Sequence, residues 1–158
     1  MSVTNLVKHA KACHGYTLQK CADYFGVTNP KIDWCGWFAR MCGSRTDVNM
    51  DFGSSNVAAD LKGIKGNFAF KSGAQGTTAN KPKVGDLLFI QPKGQTQIKH
   101  VGICSSVDPN GKIKSYEGNM SGVSDNWINT STVKEASYDY NTGDGGDWGK
   151  IINYGMNS

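Results

Sequence analysis

Residues 98–119 read IKHVGICSSVDPNGKIKSYEGN, two β-rich runs separated by Asp108-Pro109-Asn110-Gly111. A tight turn between runs rich in Val, Ile, Ser and Tyr is the pattern of an antiparallel hairpin. If Val107 faces Lys112 across the turn, antiparallel counting places Gly102 opposite Glu117 and His100 opposite Asn119, all on one face. Gly102 leaves room beside His100, so Glu117 can reach the imidazole diagonally while Asn119 reaches it from directly across. Either can hold the ring's tautomer and orientation. A one-residue bulge would turn one strand's faces over, so this arrangement depends on register.

Working outward from the hairpin, VGDLLFI from Val84, GKIINYG from Gly149 and an extended NFAF near Phe68 also read as strands. The N-terminal third is helical instead. Leu6, Ala10 and Cys13 recur at helical spacing between Thr4 and His14, with Gly15 as the stop. Thr17 caps a second helix carrying Leu18, Cys21, Ala22 and Phe25, which ends at Gly26. A third is expected from Trp34 to Cys42, with Asp33 as its cap and Gly43 in the closing left-handed conformation. From Ser44 to Lys83 the chain is rich in Gly, Ser, Asn and Thr, with a short helix expected near SSNVAADLKG. Helices followed by strands make an α+β order, with N-terminal helices packed on an antiparallel β-sheet. No repeat or linker divides residues 1–158, and a single domain is expected.

The net charge of +4 rests on scattered lysines, which gives little reason to expect a nucleic-acid partner. No run of about 18 apolar residues is present to span a membrane, and no stable membrane association is expected. The opening MSVTNLVKHAKACHG has neither the apolar segment nor the cleavage site of a secretory signal. A cytosolic start is therefore expected, with any work outside the cell depending on release by another agent.

The chain has five cysteines, Cys13, Cys21, Cys35, Cys42 and Cys104, and no C-x-x-C pair, which argues for free thiols over a disulfide framework or a thiolate zinc site. Cys35 and Cys42 share a face of the third helix with Phe38 and Ala39, where small apolar packing is the plain reading of both. Their positions separate them. Cys35 lies in the first turn, where free N–H groups and the positive end of the helix dipole favour a thiolate; Cys42 lies in the last. Asp33 opposes part of that effect, so the thiol needs a base. Of the three histidines, His9 and His14 sit among lysines on the first helix and read as solvated, which leaves His100.

The ordered set DWCGWFARMCG, KVGDLLFI, HVGIC and YEGN resembles the CHAP domains (cysteine, histidine-dependent amidohydrolases and peptidases) of the papain-like NlpC/P60 superfamily. YFG at 24–26 and the closing IINYG look like that family's flanking elements. The resemblance implies a papain-like fold, Cys35 as nucleophile, His100 as general base and acid, Glu117 as the residue orienting His100, and Asn119 as an accessory polar group. It also implies bacterial peptidoglycan as the partner, with cleavage either of the amide between glycan and stem peptide or of a bond within the peptide. A phage endolysin or a secreted effector, acting as a monomer, would fit.

No cofactor is expected. Some members bind calcium through an Asp-rich loop before the nucleophile, whereas GVTNPKIDW holds a single Asp, and DYNTGDGGD has the wrong spacing for an EF-hand. Trp34 and Trp37 flank the nucleophile and are the candidates for a substrate groove, with Trp127 and Trp148 reading as core. Two rival uses of the same residues stay open: a catalytically silent wall-binding module, and an intracellular papain-like thiol hydrolase.

Overall fold

The computed structural model describes residues 3–26, 35–46, 48, 50–51, 65–66, 68–72, 82–94, 100–118, 132–146 and 149–157. Three helices come first, α1 (Val3–Ala12), α2 (Leu18–Phe25) and α3 (Cys35–Arg45). The strands follow: β1 (Met50–Asp51), β2 (Lys65–Gly66), β3 (Phe68–Ser72), β4 (Leu87–Pro92), β5 (His100–Val107), β6 (Lys112–Glu117), β7 (Lys134–Asp139) and β8 (Gly149–Asn157). β1 and β2 pair with each other, and the other six form an antiparallel sheet in the order β3-β8-β4-β5-β6-β7. This is the α+β architecture that the sequence order implied, and it is consistent with the papain-like fold that the resemblance implied.

The caps of α2 are those its sequence dictates. Thr17 Oγ1 accepts from the Lys20 N–H at 3.4 Å, and Gly26 closes the helix at φ 70°, a conformation that costs glycine little. α3 departs from expectation. It runs through Gly43 to Arg45, because Thr46 Oγ1 donates to the carbonyls of Cys42 at 2.7 Å and Gly43 at 3.3 Å, replacing a glycine stop with a hydroxyl one. The expected Asp33 cap and the short helix near SSNVAADLKG lie outside the described residues.

The LLFI run of β4 is buried on both faces. Leu87 and Phe89, with Val101, Ile103 and Tyr116, face the helices and meet Leu6, Phe38 and Met41. Leu88 and Ile90 join Cys104, Ile113, Tyr138 and Ile151 in a second cluster on the other face. α1 and α3 pack on each other and directly on β5, so one helical layer covers one face of the sheet. No helix among the described residues is long and apolar enough to cross a membrane.

β7 was not read from the sequence, although Ala136, Tyr138 and Tyr140 alternate in KEASYDY as a half-buried strand requires. The register of the hairpin is the fold's most consequential detail. Next to the turn, Val107 pairs with Ile113 and not with Lys112, one residue off the expected count. The turn is wider than expected: the Asp108 N–H donates to the Lys112 carbonyl at 2.9 Å, and Asp108 Oδ1 accepts from the Asn110 N–H at 2.9 Å. A bulge between Cys104 and Ser106 then absorbs the offset, so Cys104 faces Ser115 and Ile103 faces Tyr116. At the far end of the strands the pairing is therefore the one counted from sequence.

Candidate active site

Cys35 is the first residue of α3, and His100 is the first of β5. Both side chains are buried, and the start of the helix meets the start of the strand through a hydrogen bond between thiol and imidazole. His100 Nε2 contacts Glu117 Oε1 at 2.6 Å, which leaves Nδ1 as the ring nitrogen for Cys35. The carboxylate is itself held on all sides. Ser115 Oγ donates to Glu117 Oε2, and Tyr138 donates its hydroxyl hydrogen between Oε2 at 2.7 Å and Oε1 at 3.0 Å. Ser115 lies two residues before Glu117 on the same face of β6. Tyr138 projects from the neighbouring strand β7, where it pairs with Ile113.

Gly102 makes this geometry possible. A Cβ placed there would stand 2.7 Å from Glu117 Cγ and 2.9 Å from Glu117 Oε2, so the carboxylate occupies the space that any other residue would fill. The diagonal route to the imidazole that the sequence allowed is the one Glu117 takes. Gly102→Ala should therefore destabilise the chain by about 1–3 kcal/mol through overpacking. It should also lower turnover about a hundredfold by displacing the group that aims His100. Urea denaturation and steady-state hydrolysis measure the two effects; an alanine variant matching wild type in both would contradict this packing.

Burial by itself would lower the His100 pKa. The charges on Cys35 and Glu117, with hydrogen bonds to both, overcome it and raise the imidazole from 6.5 to about 10. Burial would push Glu117 up, but the His100 charge and the hydrogen bonds from His100, Ser115 and Tyr138 bring it below its usual 4.5. His100 is thus held as an imidazolium against the Glu117 carboxylate at neutral pH. Because the folded chain holds the His100 proton more tightly than the unfolded one, its contribution to stability is complete below pH 6.5 and is lost as pH rises toward about 10. Glu117, shifted the other way, contributes above pH 4.5 and loses that contribution on acidification. Denaturation of wild type and His100→Gln across this alkaline window should show an extra loss in the wild type; parallel curves would contradict the raised imidazole pKa.

The remaining thiols differ in kind. Burial pushes Cys21 and Cys104 up to about 12 and Cys42 well above its ordinary value, whereas Cys35 faces the His100 imidazole. Among the described residues every buried side-chain nitrogen and oxygen has a partner. Asn119 and Trp34 lie outside the described residues, as do Trp127, Trp148 and the side chain of Trp37. Ser115 and Tyr138 were missed in the sequence. Ser115 was legible as the same-face neighbour of Glu117, while Tyr138 required recognition of β7. His9, read as solvated, is half-buried with Nε2 3.6 Å from Cys13 Sγ. The acidic loop after β7 is organised by Asp139, whose Oδ1 accepts from the N–H groups of Asn141 at 2.9 Å and Thr142 at 2.8 Å.

No curated protein and no solved structure matches the chain. The CHAP domain family model matches residues 14–119. That match takes in Cys35, His100 and Glu117 and more than half of the sequence, and the chain belongs to the CHAP domain family, for which activity of the peptidoglycan hydrolase or amidase type is implied.

Proposed function

We propose that the protein cleaves an amide bond of bacterial peptidoglycan through a Cys35 thioester, acting as a monomeric single domain over residues 1–158. The observation that carries this reading is the continuous hydrogen-bonded line from Cys35 through His100 to Glu117. Cys35 sulfur attacks the amide carbonyl, the Cys35 backbone N–H at the start of α3 donates to the developing oxyanion, and His100 passes its proton to the leaving amine. The same imidazole then takes a proton from water, which attacks the thioester and frees the thiol. Glu117 stays ionised throughout, keeping Nε2 protonated and Nδ1 directed at the reacting atoms. Tyr138 and Ser115 act one step back by holding Glu117. Trp34 and Trp37, flanking the nucleophile in sequence, are the proposed walls of the substrate groove, and Asn119 is proposed as an accessory polar group.

The bond is either that of an N-acetylmuramoyl-L-alanine amidase or a peptide bond of the stem or cross-bridge. The chain acts on the wall after release by lysis or by dedicated secretion, in the manner of an endolysin. Digestion of purified sacculi under reducing conditions, followed by mass analysis of the soluble fragments, tests this. Free stem peptides identify the amidase, and glycan strands still carrying peptides with new amino ends identify the endopeptidase. Binding to sacculi without release of either would favour a silent wall-binding module.

A further inference from the structure

A second cluster of metal-ligating side chains lies between α1 and α3, away from the Cys35–His100 pair. His9 lies in the last turn of α1 and Cys13 directly follows that helix, its N–H donating to the His9 carbonyl at 3.1 Å, so the two share a face, and Cys42 meets them from α3. The His9 nitrogen and the two sulfurs lie within 4.8 Å of one another. Cys13 Sγ stands 3.6 Å from His9 Nε2, and the Cys13 and Cys42 side chains are hydrogen-bonded. Tetrahedral zinc, with bonds of about 2.3 Å to sulfur and about 2.0 Å to imidazole nitrogen, places such ligands about 3.6 Å apart. The His9–Cys13 pair already has that spacing. Buried thiols packing in a core have no need of an imidazole nitrogen at this distance.

We propose that His9, Cys13 and Cys42 form a binding site for a thiophilic divalent cation of the zinc type, which ties α1 to the helix that carries Cys35. The absence of a C-x-x-C pair hid this site, because its ligands come from an i, i+4 pair at the end of one helix and a residue 29 positions further along, on another. Cys13 and Cys42 are buried, and His9 is half-exposed, so the cation enters from the His9 side, where water completes the coordination. Arg45 Nη1 stands 3.5 Å from His9 Nε2, a positive group beside the nitrogen that would bind the metal. Arg45 is exposed in the last turn of α3 with its guanidinium 4.7 Å from the Tyr24 ring centre, and cation binding requires it to give up the His9 contact.

The test uses the full chain carrying Cys35→Ala, so that the catalytic thiol contributes nothing, kept reduced and titrated with Co2+. Binding at one equivalent should give a sulfur-to-cobalt charge-transfer band and the strong visible bands of a tetrahedral site, both bleached by Zn2+. Zn2+ should raise the thermal midpoint, and a chelator should reverse the rise. His9→Ala, at a half-exposed position that the fold tolerates, should weaken Co2+ binding at least about tenfold. Cys42→Ser should weaken it too. Absence of the charge-transfer band, or a band of unchanged strength and affinity in both variants, would overturn the proposal.

Discussion

Glu117→Gln should lower the rate of wall hydrolysis by about ten-thousandfold while leaving the chain folded, the size of loss that follows when the carboxylate behind a catalytic histidine becomes an amide. The reason lies in who donates. His100 Nε2, the Ser115 hydroxyl and the Tyr138 hydroxyl all point hydrogens at the two oxygens of Glu117. A glutamine brings a fourth donor into a pocket that has only donors. Turning its nitrogen toward His100 forces the wrong tautomer on the ring; turning it away sets it against Ser115 and Tyr138. Either way the imidazolium loses a buried counter-charge that helps raise its pKa to about 10. NMR of the imidazole should accordingly find His100 titrating lower in Glu117→Gln than in wild type. Tyr138→Phe, which removes one donor and leaves the carboxylate charged, should show a smaller loss of rate. An amide variant with wild-type rate and an unmoved His100 titration would remove Glu117 from the mechanism.

Much of this site was legible because its parts are local. The helix starting at Cys35, the strand starting at His100 and the same-face placement of Gly102 and Glu117 each follow from spacing over a few residues. The count across the hairpin was wrong at the turn and right at the site, because a wider turn and the bulge after Cys104 offset one another. Bulges follow from how backbone donors are satisfied around a turn, which residue types alone do not specify. The third helix outran its expected end because Thr46, outside the periodic pattern, supplied the hydroxyl that satisfies the last carbonyls. Tyr138 was illegible for a different reason. Its role exists only once β7 pairs with β6, a contact between segments that no local pattern joins. The His9–Cys13–Cys42 cluster is hidden in the same way, since two helices must pack before its ligands meet.

The most direct test of the central claim, that Cys35 is the nucleophile of a peptidoglycan hydrolase, compares wild type and Cys35→Ala on the same purified sacculi. Release of new amine ends is followed under reducing conditions, with circular dichroism confirming equal folding. Loss of the nucleophile of a triad lowers turnover by about a millionfold, so the alanine protein should release nothing measurable while the wild type clears the suspension. Equal release by the two proteins would contradict the mechanism, and no release by wild type would contradict the activity.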